Sequence, residues 1–171
     1  ARYREITAGA QFGPAPVVLD GEIVALDADG RPSFSRLQNR MHLTKPRDIE
    51  REQARTPAKY YLFDALVRSR TATPLRERRR DLERVAADAA DPIVVPPVFD
   101  DVDEALAAGR RFGLEGVVVK DPSSAYRPGI RSESWLKIKL TRTQEVVIGG
   151  IRPGRGGRTG SIGSLLMGVQ T

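Results

Sequence analysis

The stretch "LEGVVVKDPSSAYRPGIRSESWLKIKL", residues 114–140, decides the fold reading. It holds two short apolar runs, EGVVVKDP and WLKIKL, whose β-branched residues predict strands joined by a loop rich in Gly, Arg and Ser. Residues two apart on a strand share a face, so Lys137 and Lys139 are expected to point one way while Leu136, Ile138 and Leu140 pack the other. Neighbouring ammonium groups raise each other's ionisation cost, and an anion such as a phosphate offsets that repulsion. The competing reading is a solvent-facing edge strand that its lysines protect from aggregation. Glu115 and Lys120 bracket the first run. Simple pleating sends them to opposite faces, so a joint role requires a bulge or requires Lys120 to lie just past the strand end.

Working outward, the strand in PVVLDGEIVALDADG places Asp20 and Glu22 on one face and ends in the turn Asp29-Gly30. Two carboxylates buried without partners would cost several kcal/mol, so a cation, a basic side chain or a ligand hydroxyl must balance them if that face is interior. Gly21 between them allows another backbone or a ligand to come close. SFSRLQNRMH predicts a Ser-capped helix with Phe34, Leu37 and Met41 inward. KYYLFDALV is a further strand. There Phe63 reads either as core or as a flat surface on which a base could stack. Thr73-Pro74 opens a helix through about Ala89, with Leu75, Leu82, Val85, Ala86 and Ala89 on one face and Arg78, Arg79 and Arg80 on the solvated one. PIVVPPVF is a proline-limited edge strand. DDVDEALAAGRRFG is a helix with an Asp101/Glu104 capping box, Val102, Ala105, Leu106 and Phe112 inward, and Gly113 as its stop. QEVVIGGI and SLLMGVQ are strands joined by RPGRGGRTGSIGS, which has no Walker spacing and reads as a hairpin loop whose arginines could touch a nucleic-acid backbone. Mixed order and short connections predict an α+β domain on largely antiparallel sheet.

Composition narrows the chemistry. The 171 residues suit one domain and part of a second, and the net charge of +6 suits a polyanionic partner such as nucleic acid and, equally well, a solvated basic surface. With no cysteine and a single histidine, His42, there is no disulfide, thiolate nucleophile or zinc site, so any metal must be hard and oxygen-bound. No apolar stretch approaches the roughly 20 residues that span a bilayer, and the N-terminus lacks the pattern of a signal peptide, which predicts a soluble, cytoplasmic protein without a membrane partner. Ala1 in place of an initiator Met suggests a piece of a longer polypeptide.

Taken together, LDGEIV (19–24), YYLFD (60–64), LEGVVVK (114–120) and WLKIK (135–139) resemble four signature segments of the ATP-dependent DNA ligase and mRNA-capping superfamily. RPSFSRLQNRMH, YRPGIRSESW and the C-terminal QEVVIGGIRPGRGGRTGSIGSLLMGV are most similar to the ligase module of bacterial non-homologous end-joining ligases. The resemblance implies an adenylation (nucleotidyltransferase) domain of two antiparallel sheets with flanking helices over residues 1–140, then the start of an OB-fold β-barrel over 141–171. It implies ATP, giving an AMP adduct, with Mg2+ or Mn2+, and as partners nicked or broken double-stranded DNA and end-joining factors or fused repair domains. It further implies that Glu22 contacts the ribose, Phe63 stacks on adenine, Glu115 binds the metal, and Lys137 and Lys139 neutralise the α-phosphate as catalytic groups. Related alternatives are an RNA ligase or capping-type enzyme, and a nucleic-acid-binding module without chemistry. The family's nucleophile lies in K-x-D-G, and none of Lys45, Lys59, Lys120, Lys137 and Lys139 stands in that context. The chain alone is therefore expected to be inactive. Spacing shorter than the family's near Ala10-Gln11 and Arg70-Thr71 suggests omitted loops.

Overall fold

Alternation builds the first strand, β1 (Val17–Ala25). Val17, Leu19 and Ile23 turn toward the core, and Val18 and Glu22 stay exposed. The computed structural model describes residues 2–9, 12–140 and 144–169, so Ala10-Gln11 lie outside the described residues. β1 pairs antiparallel with β2 (Ala58–Val67), and β3 (Ile93–Val94) adds parallel to β2 at the sheet edge. That parallel pair departs from an all-antiparallel sheet. Pro92, Pro96 and Pro97 hold β3 to two residues, since proline cannot donate to the ladder.

The core lies where helices α1 (Arg4–Gly9) and α4 (Leu75–Val85) meet this sheet. Ile6, Leu82 and Ala86 pack on Ala58, Leu62, Ala65 and Ile93. Burying a leucine as fully as Leu82 contributes about 1.5–3 kcal/mol. Leu62 and Ala65 both join this core although they lie three positions apart. The register explains it: Asp20 faces Asp64 and Gly21 faces Leu62, so Phe63 is the extra residue of a β-bulge. Gly21 is needed beside the bulge, because a Cβ there would lie 2.5 Å from the Tyr61 carbonyl oxygen and 2.7 Å from the Tyr60 ring. The close approach expected at Gly21 is thus made by the neighbouring strand.

Helix α2 (Phe34–Met41) corrects its sequence reading. Ser33 makes no side-chain cap hydrogen bond, and Phe34 is 63% exposed. The helix seats instead through Arg40, whose buried guanidinium meets the Glu5 carboxylate and the carbonyls of Arg2 and Thr56. Helix α3 (Pro46–Arg55) has no predicted counterpart because Ile49 is its one buried residue, and a single apolar position has no periodicity. In α5 (Val102–Arg111) the Asp101 carboxylate accepts the Glu104 N–H at 2.9 Å, and Gly113 follows with φ +64°. α5 packs through buried Gly109, where a Cβ would come within 2.8 Å of Leu140 and 3.3 Å of Val117. So close an approach leaves the flanking Val102 and Phe112 exposed rather than inward.

The strands β4 (Gly116–Lys120) and β5 (Trp135–Lys139) form a separate antiparallel pair. The chain divides into two compact units, Ala1–Leu140 and Thr141–Thr171. The second is a hairpin of β6 (Val147–Pro153) and β7 (Ile162–Gly168), turned by a 3-10 segment at Gly156–Arg158. Among the described residues no helix is long and apolar enough to cross a membrane.

Candidate functional site

The β4–β5 register sets the charges. Gly116 faces Lys139, Val118 faces Lys137 and Lys120 faces Trp135. Residues directly opposite share a face, so Lys120, Lys137 and Lys139 all project from one side of this sheet. Leu136 and Ile138 take the other side but remain exposed, because α5 covers only the Val117 and Leu140 end. Glu115 precedes the strand and Lys120 is its last residue, with no bulge between them. Lying outside the ladder frees Glu115 from the pleat, and its carboxylate reaches the Lys137 ammonium at 3.2 Å. Both groups are exposed, and such a pair contributes about 0–1 kcal/mol, so a phosphate can displace it at little cost.

Phe63 approaches this hairpin from the other sheet. Its ring meets Trp135 edge-on at 6.3 Å, and Trp135 in turn meets Tyr126 at 6.4 Å. The Lys120 ammonium lies 3.7 Å from the Trp135 ring centroid, 4.9 Å from that of Phe63 and 3.4 Å from the Phe63 carbonyl oxygen. Burial pushes the Lys120 pKa down to about 8, against the pull of Asp64 and Asp20 and with the push of Arg79 and Arg78. The Tyr126 hydroxyl donates to Asp20 at 2.7 Å, and burial together with that bond lifts its pKa to about 12. This hydroxyl is the partner that the part-buried Asp20 required.

Beneath the ring cluster, Arg78 donates Nε and Nη2 to the two Asp64 oxygens, each at 2.9 Å, and Nη1 to the carbonyls of Ser124 and Thr73. Its guanidinium also lies 5.6 Å from the Tyr126 ring centroid. Arg78 is 1% exposed, which corrects its place on a solvated face. Leu75, Arg78, Leu82 and Ala86 follow helical spacing, so Arg78 fills a gap in the apolar stripe and needs the one acid in YYLFDALV. That gap and that lone acid were the signals available in the sequence. Trp135 and Tyr126 had weaker ones: the chain's single tryptophan opening the lysine strand, and an aspartate lacking a partner.

The structure therefore brings Phe63 together with the strand of Lys137 and Lys139, and Glu115 together with Lys137. Glu22 is exposed opposite Tyr61, and Lys139 is exposed opposite Gly116; neither makes an ion pair among the described residues. Among those residues no three His, Asp or Glu side chains gather to hold a metal. A lone exposed carboxylate such as Glu115 fits Mg2+ or Mn2+ held partly by substrate phosphates.

Both the sequence and the fold are similar to those of known proteins. Residues 2–139 match the family described as "ATP dependent DNA ligase domain". Over 99% of its length the chain is 42% identical to the multifunctional non-homologous end joining protein LigD of Mycobacterium bovis, of which it spans 21%. It is 33% identical, over 89% of its length, to a DNA ligase of Natronomonas pharaonis, of which it spans 28%. The crystal structure of the ligase domain from M. tuberculosis LigD aligns with a TM-score of 0.67 at 38% identity, covering 99% of this chain and 52% of that one. A mycobacterial DNA ligase D complexed with ATP and MES aligns at 0.62 and 41% identity, covering 89% and 45%.

Proposed function

The chain belongs to the ATP-dependent DNA ligase domain family, and from that membership we propose that it is part of the catalytic core of a ligase that seals DNA breaks, in the service of double-strand break repair. Residues 1–140 form the adenylation domain in this reading, and 141–171 open an OB-fold. A lysine amine attacks the α-phosphate of ATP and expels pyrophosphate. A DNA 5′-phosphate then takes the AMP and frees the lysine. Finally the 3′-hydroxyl attacks that 5′-phosphate and AMP leaves as the phosphodiester forms. None of the chain's lysines stands in K-x-D-G, so the amine comes from sequence flanking these residues in the polypeptide that carries them.

Phe63 stacks on the adenine, Glu22 accepts from the ribose, and Lys137 and Lys139 face the α-phosphate, where they offset the charge that grows as pyrophosphate departs. Glu115 would hold Mg2+ or Mn2+ in place of its contact with Lys137, and such an ion would supply neutralisation of phosphate charge. The reading extends to a DNA partner, with end-joining factors or fused repair domains beside it, and to action in the cytoplasm at the nucleoid; the likeness to a non-homologous end joining protein supports it. The observation that carries the reading is the contact of Phe63 with Trp135, which joins a base-sized aromatic surface to the lysine strand.

The test is adduct formation with α-labelled ATP or GTP in the flanked polypeptide. ATP is expected to label it, and Lys137→Ala to lower the rate by about 100-fold or more through lost charge stabilisation. An adduct formed with GTP alone would eliminate a DNA ligase, and wild-type rates in Lys137→Ala would return the lysines to an edge-protecting role.

A further inference from the structure

The reaction proposed above leaves Lys120 without a task, yet its surroundings are specific. Two of the five lysines are part-buried, and Lys59 has Asp91 as its partner. Among the described residues Lys120 has no carboxylate within ion-pair distance. An ammonium drawn out of water without a counter-ion is unfavourable unless other groups solvate it. Here they are two aromatic faces and one carbonyl. The carbonyl belongs to Phe63, the bulge residue that has no partner across β1. The rings are those of Phe63 and Trp135, at 4.9 and 3.7 Å. A cation on a ring face is held by the ring's quadrupole, and the hold is stronger where water is excluded. With the ammonium against one face of Phe63, the proposed adenine stack would use the other.

We propose that Lys120 is a positioning residue: set between Phe63 and Trp135, its ammonium fixes the base-stacking ring against the strand that carries Lys137 and Lys139. The role rests on the nucleotide reading given above. It goes further by assigning the coupling between base and phosphate contacts to one cation that touches neither. The charged and titratable groups around that cation are Asp20 of β1, Asp64 of β2, Arg78 and Arg79 of α4, and Tyr126 of the loop before β5.

Trp135, the only tryptophan in the sequence, reports on this cation directly. Intrinsic fluorescence of the chain is expected to show an inflection near pH 8 that disappears in Lys120→Met and in Lys120→Arg; Tyr126, held near 12, keeps its proton through that range. Calorimetric titration with ATP at pH 7 is expected to give affinity about tenfold weaker in Lys120→Met, with Lys120→Arg within about threefold of wild type. If wild type fails to bind ATP, the nucleotide reading falls, and the positioning role that rests on it falls too. If wild type binds ATP and Lys120→Met binds it equally well, the positioning role falls alone. Should Lys120→Met not fold, a wild-type fluorescence signal flat from about pH 7 to 9.5 overturns the proposal, and an inflection near pH 8 with ATP affinity kept in Lys120→Arg supports it.

Discussion

A lysine whose burial lowers its pKa makes the folded protein a weaker proton acceptor than the unfolded chain. For Lys120 the values are about 8 folded and 10.5 as the ordinary reference. Between them the unfolded chain binds more protons, so this residue's contribution to stability rises with pH across that window. Below about 8 the penalty of holding the charge is present in full, and above 10.5 it is gone. Lys120→Met removes the charge and keeps most of the apolar stem. We therefore expect the variant to be more stable than wild type at pH 7 by on the order of 1 kcal/mol, reduced from the full shift by the water that still reaches the ammonium. The gap should close as pH rises toward 10, read by urea denaturation at several pH values. A gap constant with pH would show that the ring contacts offset desolvation, and a less stable variant at pH 7 would show that they outweigh it. Weaker nucleotide binding from a more stable protein is the signature of a group kept for positioning rather than for folding.

Between elements, the joint that matters most is α4 on β2 through Arg78 and Asp64, both fully buried. Removing one member of a buried pair strands the other's charge, so Arg78→Leu should cost about 3–5 kcal/mol, whereas Arg78→Leu with Asp64→Leu should recover much of that loss. Urea denaturation of the two singles and the double measures the coupling; strict additivity would mean that the two charges do not depend on each other. The same joint shows what was legible beforehand. Strands, hairpins and the α5 cap could be read because period two and cap chemistry are local. Lys137 and Lys139 could be assigned one face, and Asp20 could be assigned a need for a partner, from spacing alone. The bulge at Phe63 could not, because nothing in YYLFDALV marks one residue as extra; it arises from pairing with β1 at Gly21. Strict alternation would set Leu62 with Asp64 and Phe63 with Ala65, and the structure breaks both pairings by placing Leu62 and Ala65 together in the core. A helical wheel misplaces Arg78 because it ranks arginine as solvated, and only the strand across from it supplies the carboxylate that makes burial tolerable. Spacing places Lys120 at the close of its run, but only the β5 register sets it opposite Trp135.

At the scale of the molecule, charge is distributed unevenly. Residues 114–171 contain nine Lys and Arg against four Asp and Glu, so they carry five of the six net charges. In the remainder, many arginines are engaged with carboxylates, as Arg51, Arg79 and Arg84 are on α3 and α4. A duplex binding through its backbone should therefore be held by the C-terminal third, and each phosphate neutralised contributes about 0.9 to the slope of log affinity against log salt. The β6–β7 hairpin carries Arg152, Arg155 and Arg158, all exposed and none in an ion pair among the described residues. Substituting all three by glutamine is expected to lower the salt slope for a nicked duplex by about two to three, whereas Arg80→Gln with Arg84→Gln on α4 should leave it unchanged. Fluorescence anisotropy across a salt series measures both. An unchanged slope in the hairpin variant would place the DNA contacts elsewhere, and an equal loss from the α4 variant would reduce the charge asymmetry to a property of composition with no bearing on where DNA lies.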